Sequence, residues 1–376
     1  MTDAGSARGF VATGYEGVRE AFERNLASHG ETGGAFAAMV GGELVADIRG
    51  GVADAATRRP WGERTAAVVF SGTKGVVATA LLLLAERGAL ELGAPVARVW
   101  PEFAAEGKGD ITVAQLLSHC GGLPGITGTY ALDDPHAIAQ ALAAQAPIVP
   151  VGVPSYHALT YGWLAGELIR RLDGRTAGAF VRDEIALPLG DLDLRLGLAP
   201  DDELAGERAV LREAPGFQVA ALAADDPDPR LALVYGTPVT AEVWNDAGVL
   251  ALGIPAAGGV ATARALATLY GRIVTGDLLA PATLALGLRP AGVGDDPLTG
   301  RPLRFGPTGY ELAGGPSPLG PPADAFGHTG AGGSSHGGWP ALRTGWSYVT
   351  AELRPDSDDV RAQTLLDALH EAVRRR

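Results

Sequence analysis

Ser71-Gly72-Thr73-Lys74 places a lysine three residues after a serine, in a chain where only two of the 30 basic residues, Lys74 and Lys108, are lysine. Such a bias puts arginine wherever a plain positive charge suffices, so Lys74 answers a need that guanidinium cannot meet. Lysine loses its proton when it is desolvated or set beside another cation, whereas arginine stays charged at any relevant pH. A neutral amine one helical turn from a hydroxyl can take its proton, and the hydroxyl then becomes a nucleophile. A serine at a helix start also lies near unpaired backbone N–H groups and a partial positive charge, both of which stabilise an oxyanion. The plainer alternative is a Ser71 that caps its helix and a Lys74 that reaches solvent.

Two later stretches add chemistry. In "PSYHALTYG", Tyr156 stands just before a strong helical pattern, where the helix dipole and a nearby ammonium both favour a phenolate, so it can shuttle protons. In "GHTGAGGS", His328 to Ser334 reads as a Gly-rich strand whose small residues let the backbone approach a ligand and offer an N–H. Gly333-Ser334-Ser335-His336-Gly337 fits G-x-S-x-G, but that elbow needs a helix after it and downstream acid and histidine in a parallel sheet, and a strand-like run follows instead. Trp339, Trp346 and Tyr348 either line an acyl pocket or pack a sheet, and packing is the commoner use of aromatics. His119 and His136 read as structural or solvated, and His157 as a neighbour of Tyr156.

These residues must be held by a fold. Val18, Phe22 and Leu26 recur at a spacing of four and predict a helix over 16–29. "GAFAAMV" and "ELVADIRG" flank Gly41-Gly42 and predict an antiparallel hairpin. The apolar run from Gly75 predicts a buried helix with Ser71 and Lys74 together at its entrance. Helical patterns broken by Pro, Gly and Asp fill 77–249, the Pro/Gly/Asp-rich stretch 214–240 reads as a surface loop or lid, and 358–376 closes as an amphipathic helix. The fold class is therefore α+β: an antiparallel sheet domain from 1–76 and 250–376, with a mainly helical domain, 77–249, inserted.

Composition narrows the function. At 376 residues and 47% hydrophobic content the chain buries a sizeable core, and a formal charge of −13 argues against a nucleic-acid partner. Cys120 stands alone as a buried thiol, and the seven histidines lack metal-ligand spacing, so no metal and no organic cofactor is expected. The opening residues lack a cationic start followed by an apolar core, and Lys74 with its glycines interrupts the one apolar stretch, so a cytoplasmic protein with no membrane partner is expected.

With its three motifs in order, the chain resembles the serine β-lactamases and penicillin-binding proteins, and within them the class C-like (family VIII-type) carboxylesterases and acyltransferases. Ser71-Gly72-Thr73-Lys74 matches S-x-x-K, Tyr156-His157-Ala158 lies where the family has Y-x-N, and His328-Thr329-Gly330 lies where it has K-T-G. "LLSHCGGLPG", "IPAAGGVATA" and "GHTGAGGS" are similar to segments of the esterase branch, and the likeness runs from about 15 to 370, weakest over 190–245. The resemblance implies a β-lactamase/transpeptidase-like fold with the active site between sheet and helical domain. It implies Ser71 as nucleophile, Lys74 and Tyr156 as its proton carriers, the Ser71 and Ala331 N–H groups as the oxyanion hole, and His328 and Gly330 as substrate neighbours, to which the aromatic Trp339 is added as an expected substrate neighbour on its residue type. Ala158 and His328 depart from the pattern: neither supplies the amide or the permanent cation that holds a β-lactam. The expected activity is thus hydrolysis of small or medium acyl esters, a small-molecule substrate. The alternatives are acyl transfer to an alcohol or amine, β-lactamase or D-Ala peptidase activity, and a non-catalytic sensor. Oligomeric state stays open.

Overall fold

Gly41 and Gly42, at φ of 61° and 93°, close the hairpin between strands Gly33–Val40 and Glu43–Asp54, a geometry that a Gly-Gly pair reaches without strain. The computed structural model describes residues 6–217, 228–236, 239–355 and 359–375. That hairpin lies in a ten-stranded antiparallel sheet that joins both chain ends. From one edge the order is Arg8–Val11, Glu43–Asp54, Gly33–Val40, Thr344–Thr350, Ser335–Trp339, Phe326–Thr329, Glu311–Leu312, Pro302–Phe305 and Gly292–Asp295, with Arg59–Pro60 paired beside Glu43–Asp54.

The central strands are buried on both faces because both are covered. On one face the first and last helices, Glu16–Ser28 and Arg361–Arg374, bury Val18, Phe22, Leu366 and Leu369 against Phe36, Ile48 and Trp346. On the other, helix Ala263–Thr275 lies along Thr344–Thr350 and Gly33–Val40. Beside it runs helix Gly72–Glu86, which touches strands Phe326–Thr329 and Ser335–Trp339 and packs against helices Thr160–Asp173, Ala177–Val181 and Pro281–Gly287. Residues 72–84 of that helix are all buried, as an all-round apolar helix requires.

Three local readings need correction. Leu194–Leu196, inside the stretch expected to be helical, is a strand that pairs with Gly259–Ala261. Part of the expected loop at 214–240 is the helix Pro229–Tyr235, begun by the Asp228 cap and Pro229, while 218–227 and 237–238 lie outside the described residues. The Gly-rich strand stops at Thr329, and 330–334 form a turn before the next strand starts at Ser335. Among the described residues no helix is long and apolar enough to cross a membrane, and no cluster of His, Cys, Asp or Glu is arranged to hold a metal ion.

Candidate active site

Phe70 sits at φ 44°, a left-handed conformation that costs a bulky residue energy and so marks a position held by its surroundings. Its ring meets the Trp244 ring edge-on at 5.3 Å, and on either side of it the backbone is pinned: Val69 N–H donates to Gly259 O, and Gly259 N–H donates to Thr73 Oγ1, both at 2.9 Å. The turn brings Ser71 to the mouth of its helix without using it as a cap, because its side chain accepts no capping N–H. Instead Ser71 Oγ lies 3.0 Å from Lys74 Nζ and accepts a 2.9 Å hydrogen bond from the Tyr156 hydroxyl. The capping alternative is thereby excluded.

Lys74 is fully buried and does not reach solvent. Besides Ser71 Oγ, its Nζ has the Ala158 carbonyl at 2.8 Å and the Ala256 carbonyl at 3.0 Å. Burial drives its pKa well below the ordinary lysine value, since taking an ammonium out of water without a carboxylate partner costs several kcal/mol, on the order expected for a buried ion. An ammonium would spend its three protons on these three oxygens. A neutral amine keeps two N–H donors on the carbonyls and turns its lone pair to the serine hydroxyl, the geometry of a general base.

Tyr156 is held by a relay of buried groups. Its N–H donates to Asp296 Oδ2 at 3.0 Å, and the Ser155 hydroxyl donates to Asp296 Oδ1. His157 Nδ1 donates to Ser155 O at 2.7 Å and its Nε2 accepts from Leu123 N–H, while His157 N–H donates to His119 Nδ1. Burial keeps both rings neutral, with the His157 pKa pushed down to about 4 and that of His119 driven well below its ordinary value. The His119 ring, presented at φ 66° from the end of the Leu116–Cys120 turn, packs 5.0 Å from the Tyr156 ring, and Phe305 stacks on the tyrosine from 5.9 Å. His119, Asp296 and Phe305 went unmarked as site residues in the sequence, as did the carbonyls of Ala158 and Ala256; only "LLSHCGGLPG" and "IPAAGGVATA" flagged their neighbourhoods.

Across the site, strand Phe326–Thr329 delivers His328. Its Nδ1 donates to Thr329 O at 2.7 Å, and burial, with Lys74 close by, pushes its pKa down to about 3. It is a neutral group where a lysine would be charged. Gly330 lies against the Ser71 turn: a Cβ there would collide with Val69 O and Ser334 Oγ. That close approach sets Ala331 beside Ser71, and among the described residues neither the Ser71 nor the Ala331 N–H donates to a protein acceptor. Ser71, Tyr156, His328, Gly330 and Ala331 all open on one cavity of about 900 Å³, with Leu159, Phe217, Val234 and Leu303 on its apolar walls.

Trp339 does not belong to this cavity. His328 and His336 are cross-strand partners and share a face, and Trp339, three residues past His336, points the other way. It is fully buried in the second core, with its indole N–H donating to Leu319 O and its ring 5.8 Å from that of His370. Trp346 and Tyr348 pack in the same core. His336, unmarked in the sequence, instead faces helix Gly72–Glu86, where a Cβ on Gly72 would come 2.5 Å from its Cδ2. Ser335 opens a strand of an antiparallel sheet, with no α-helix before the next strand, and donates to Pro318 O at 3.1 Å, which removes the elbow alternative.

Comparison with known proteins places nearly the whole chain in a family. Residues 18–370 match the family described as Beta-lactamase. The chain is 36% identical to the esterase/beta-lactamase LipL of Mycobacterium tuberculosis over 334 residues, 86% of this chain and 77% of that one. Among solved structures it superposes on a family VIII carboxylesterase with a TM-score of 0.89 at 31% identity, covering 98% of this chain and 100% of the other. A penicillin-binding protein homologue from Caulobacter crescentus gives 0.88 at 34% identity, with the same coverage. A serine and a buried lysine on one helix turn, a tyrosine reaching the same oxygen, and likeness over nearly the whole chain lead to one assignment: the chain belongs to the beta-lactamase family and is a serine hydrolase of the beta-lactamase fold.

Proposed function

We propose that the protein is a carboxylesterase that works through an acyl-enzyme on Ser71. One observation carries this reading: Ser71 Oγ has the buried Lys74 amine and the Tyr156 hydroxyl at 3.0 and 2.9 Å on one side and an open cavity on the other. As Oγ bonds to the ester carbonyl carbon, its proton passes to Lys74 Nζ, and the oxyanion takes the free N–H groups of Ser71 and Ala331. Collapse breaks the bond to the alcohol oxygen, which receives the Tyr156 proton. The lysine ammonium, 5.0 Å from the tyrosine ring centroid, returns a proton to the phenolate. Water then repeats the sequence on the acyl-enzyme and releases the acid.

Ester rather than lactam is supported by what replaces the family's polar anchors. Ala158 offers only its carbonyl, already spent on Lys74, and His328 is neutral. A β-lactam's amide and carboxylate therefore lose the partners those positions supply elsewhere. With p-nitrophenyl butyrate and nitrocefin assayed side by side, kcat/KM for nitrocefin is expected to be lower by about 10²-fold or more, the scale of discrimination set by missing polar partners. Comparable turnover of the two would overturn the esterase reading in favour of a lactamase, and intact mass after brief ester exposure should show a single acyl adduct.

Tyr156→Phe tests the proton path separately. It should lower kcat by about 10²-fold or more, the usual worth of a general acid–base group, with a smaller change in KM. A loss confined to KM would reduce the phenol to a substrate contact.

A further inference from the structure

The turn 330–334 has no regular structure of its own, yet it must hold the Ala331 N–H in one direction. Beyond two backbone bonds of its own, Gly330 N–H to Ser334 O at 2.8 Å and Gly333 N–H to Gly330 O at 3.2 Å, its fastening comes from the far end of the chain. Gly332 O accepts two hydrogen bonds, from Arg354 N–H at 3.3 Å and from Arg361 Nη2 at 3.1 Å. Arg361 is fully buried at the start of the last helix, and every face of its guanidinium is occupied. Nη2 also donates to Glu352 O at 3.1 Å and Asp359 Oδ2 at 2.7 Å, Nε donates to Asp359 Oδ1 at 2.8 Å, and Nη1 donates to Thr350 Oγ1 at 3.1 Å with Glu31 at 3.5 Å. Glu31 is tied in turn to the sheet by the Tyr348 hydroxyl and by the Gly33 N–H.

The turn is moulded onto this cluster. Gly333, at φ 108°, rests on Asp359 so closely that a Cβ would strike its carboxylate, and Gly332, at φ 83°, rests on Leu353. On the opposite side Gly330 abuts Val69, two residues before the serine. The turn is thus clamped between the Ser71 segment and the Arg361 cluster, and among the described residues Arg361 is the only side chain that donates to its backbone.

We propose that Arg361 is a positioning residue for the oxyanion hole: through Gly332 O it fixes the turn that presents the Ala331 N–H to the reacting carbonyl. The inference rests on the acyl-enzyme reading above. A lysine cannot replace it, because an ammonium has three donors on one atom and cannot span Asp359, Thr350, Glu352 O and Gly332 O as the planar fork does. A purely structural arginine would lower stability and leave the chemistry of the folded enzyme alone. A positioning one must weaken tetrahedral species more than ground-state binding.

The test is Arg361→Met and Arg361→Lys, assayed with p-nitrophenyl butyrate and with butylboronic acid, which adds to Ser71 Oγ to give a tetrahedral anion. Arg361→Met is expected to lose about 10- to 10²-fold in kcat, below the cost of deleting an oxyanion donor outright, with KM within about two-fold. Boronate affinity should fall by the same factor as kcat/KM, and millimolar guanidinium should restore part of both. Arg361→Lys should regain little. Asp359→Asn, which keeps side-chain size and removes the charge, should show a smaller loss in the same direction, and it serves if Arg361→Met does not fold. Folded variants with wild-type kcat and boronate affinity, or a loss in KM alone, would overturn the proposal. A wild-type enzyme that turns over no ester would instead sink the esterase reading, and the boronate comparison would still read the turn.

Discussion

Ser71→Ala is expected to abolish ester turnover, by about 10⁴-fold or more in kcat, on the scale seen when a nucleophile acting in concert with its base is removed. The fold should survive, because Ser71 Oγ caps no N–H, and its hydrogen-bond partners among the described residues are Lys74 Nζ and the Tyr156 hydroxyl. Removing it leaves Lys74 with the Ala158 and Ala256 carbonyls, enough for both protons of a neutral amine. The ester adduct seen by intact mass should vanish with it. Ser335→Ala, which costs only a bond to Pro318 O, should keep near-wild-type activity. Activity retained in Ser71→Ala, or lost in Ser335→Ala with the fold intact, would move the nucleophile elsewhere.

Lys74→Arg should be nearly as damaging as Lys74→Ala, with kcat down by about 10²- to 10⁴-fold, the range for a general base. Arginine keeps the charge but has no lone pair to offer, and its fork does not fit a space shaped around one nitrogen and three oxygens. The pH profile gives the sign. Burial lowers the Lys74 pKa, so the base is the unprotonated amine, and kcat/KM should rise with pH along a limb whose midpoint lies below the ordinary lysine range, then level off. Activity in Lys74→Arg close to wild type, or a limb at the ordinary lysine pKa, would leave Lys74 a mere counter-charge.

What could be read from the residues alone follows how local each interaction is. Ser71 and Lys74 meet because they are one helical turn apart, and the apolar run that buries them is contiguous, so spacing and composition together point at the pair. The Gly41-Gly42 hairpin and the terminal helices are legible for the same reason. The helix at 229–235 was hidden by its own start signals: Asp228 and Pro229, which cap and begin it, look the same as loop residues when counted by composition.

Partners remote in the chain were a different matter. The Ala158 and Ala256 carbonyls that hold Lys74, and Asp296 that holds Tyr156, contribute through atoms or pairings that residue type does not advertise. Every residue has a carbonyl, and only the packing of three separate segments around one nitrogen selects these two. Trp339 makes the point from the other side. Its residue type suits an acyl pocket, but strand parity, set by the pairing of His328 with His336, turns it to the opposite face of the sheet. Arg361 looks like any basic residue near a helix end until the fold buries it against Gly332 O. The chemistry proposed for this protein, a serine activated by a neutral lysine, rests on two residues of one short local stretch. Which atoms aim that chemistry was decided by register and long-range packing, because a neighbour far along the chain is chosen by the energy of the whole fold rather than by the few residues around it.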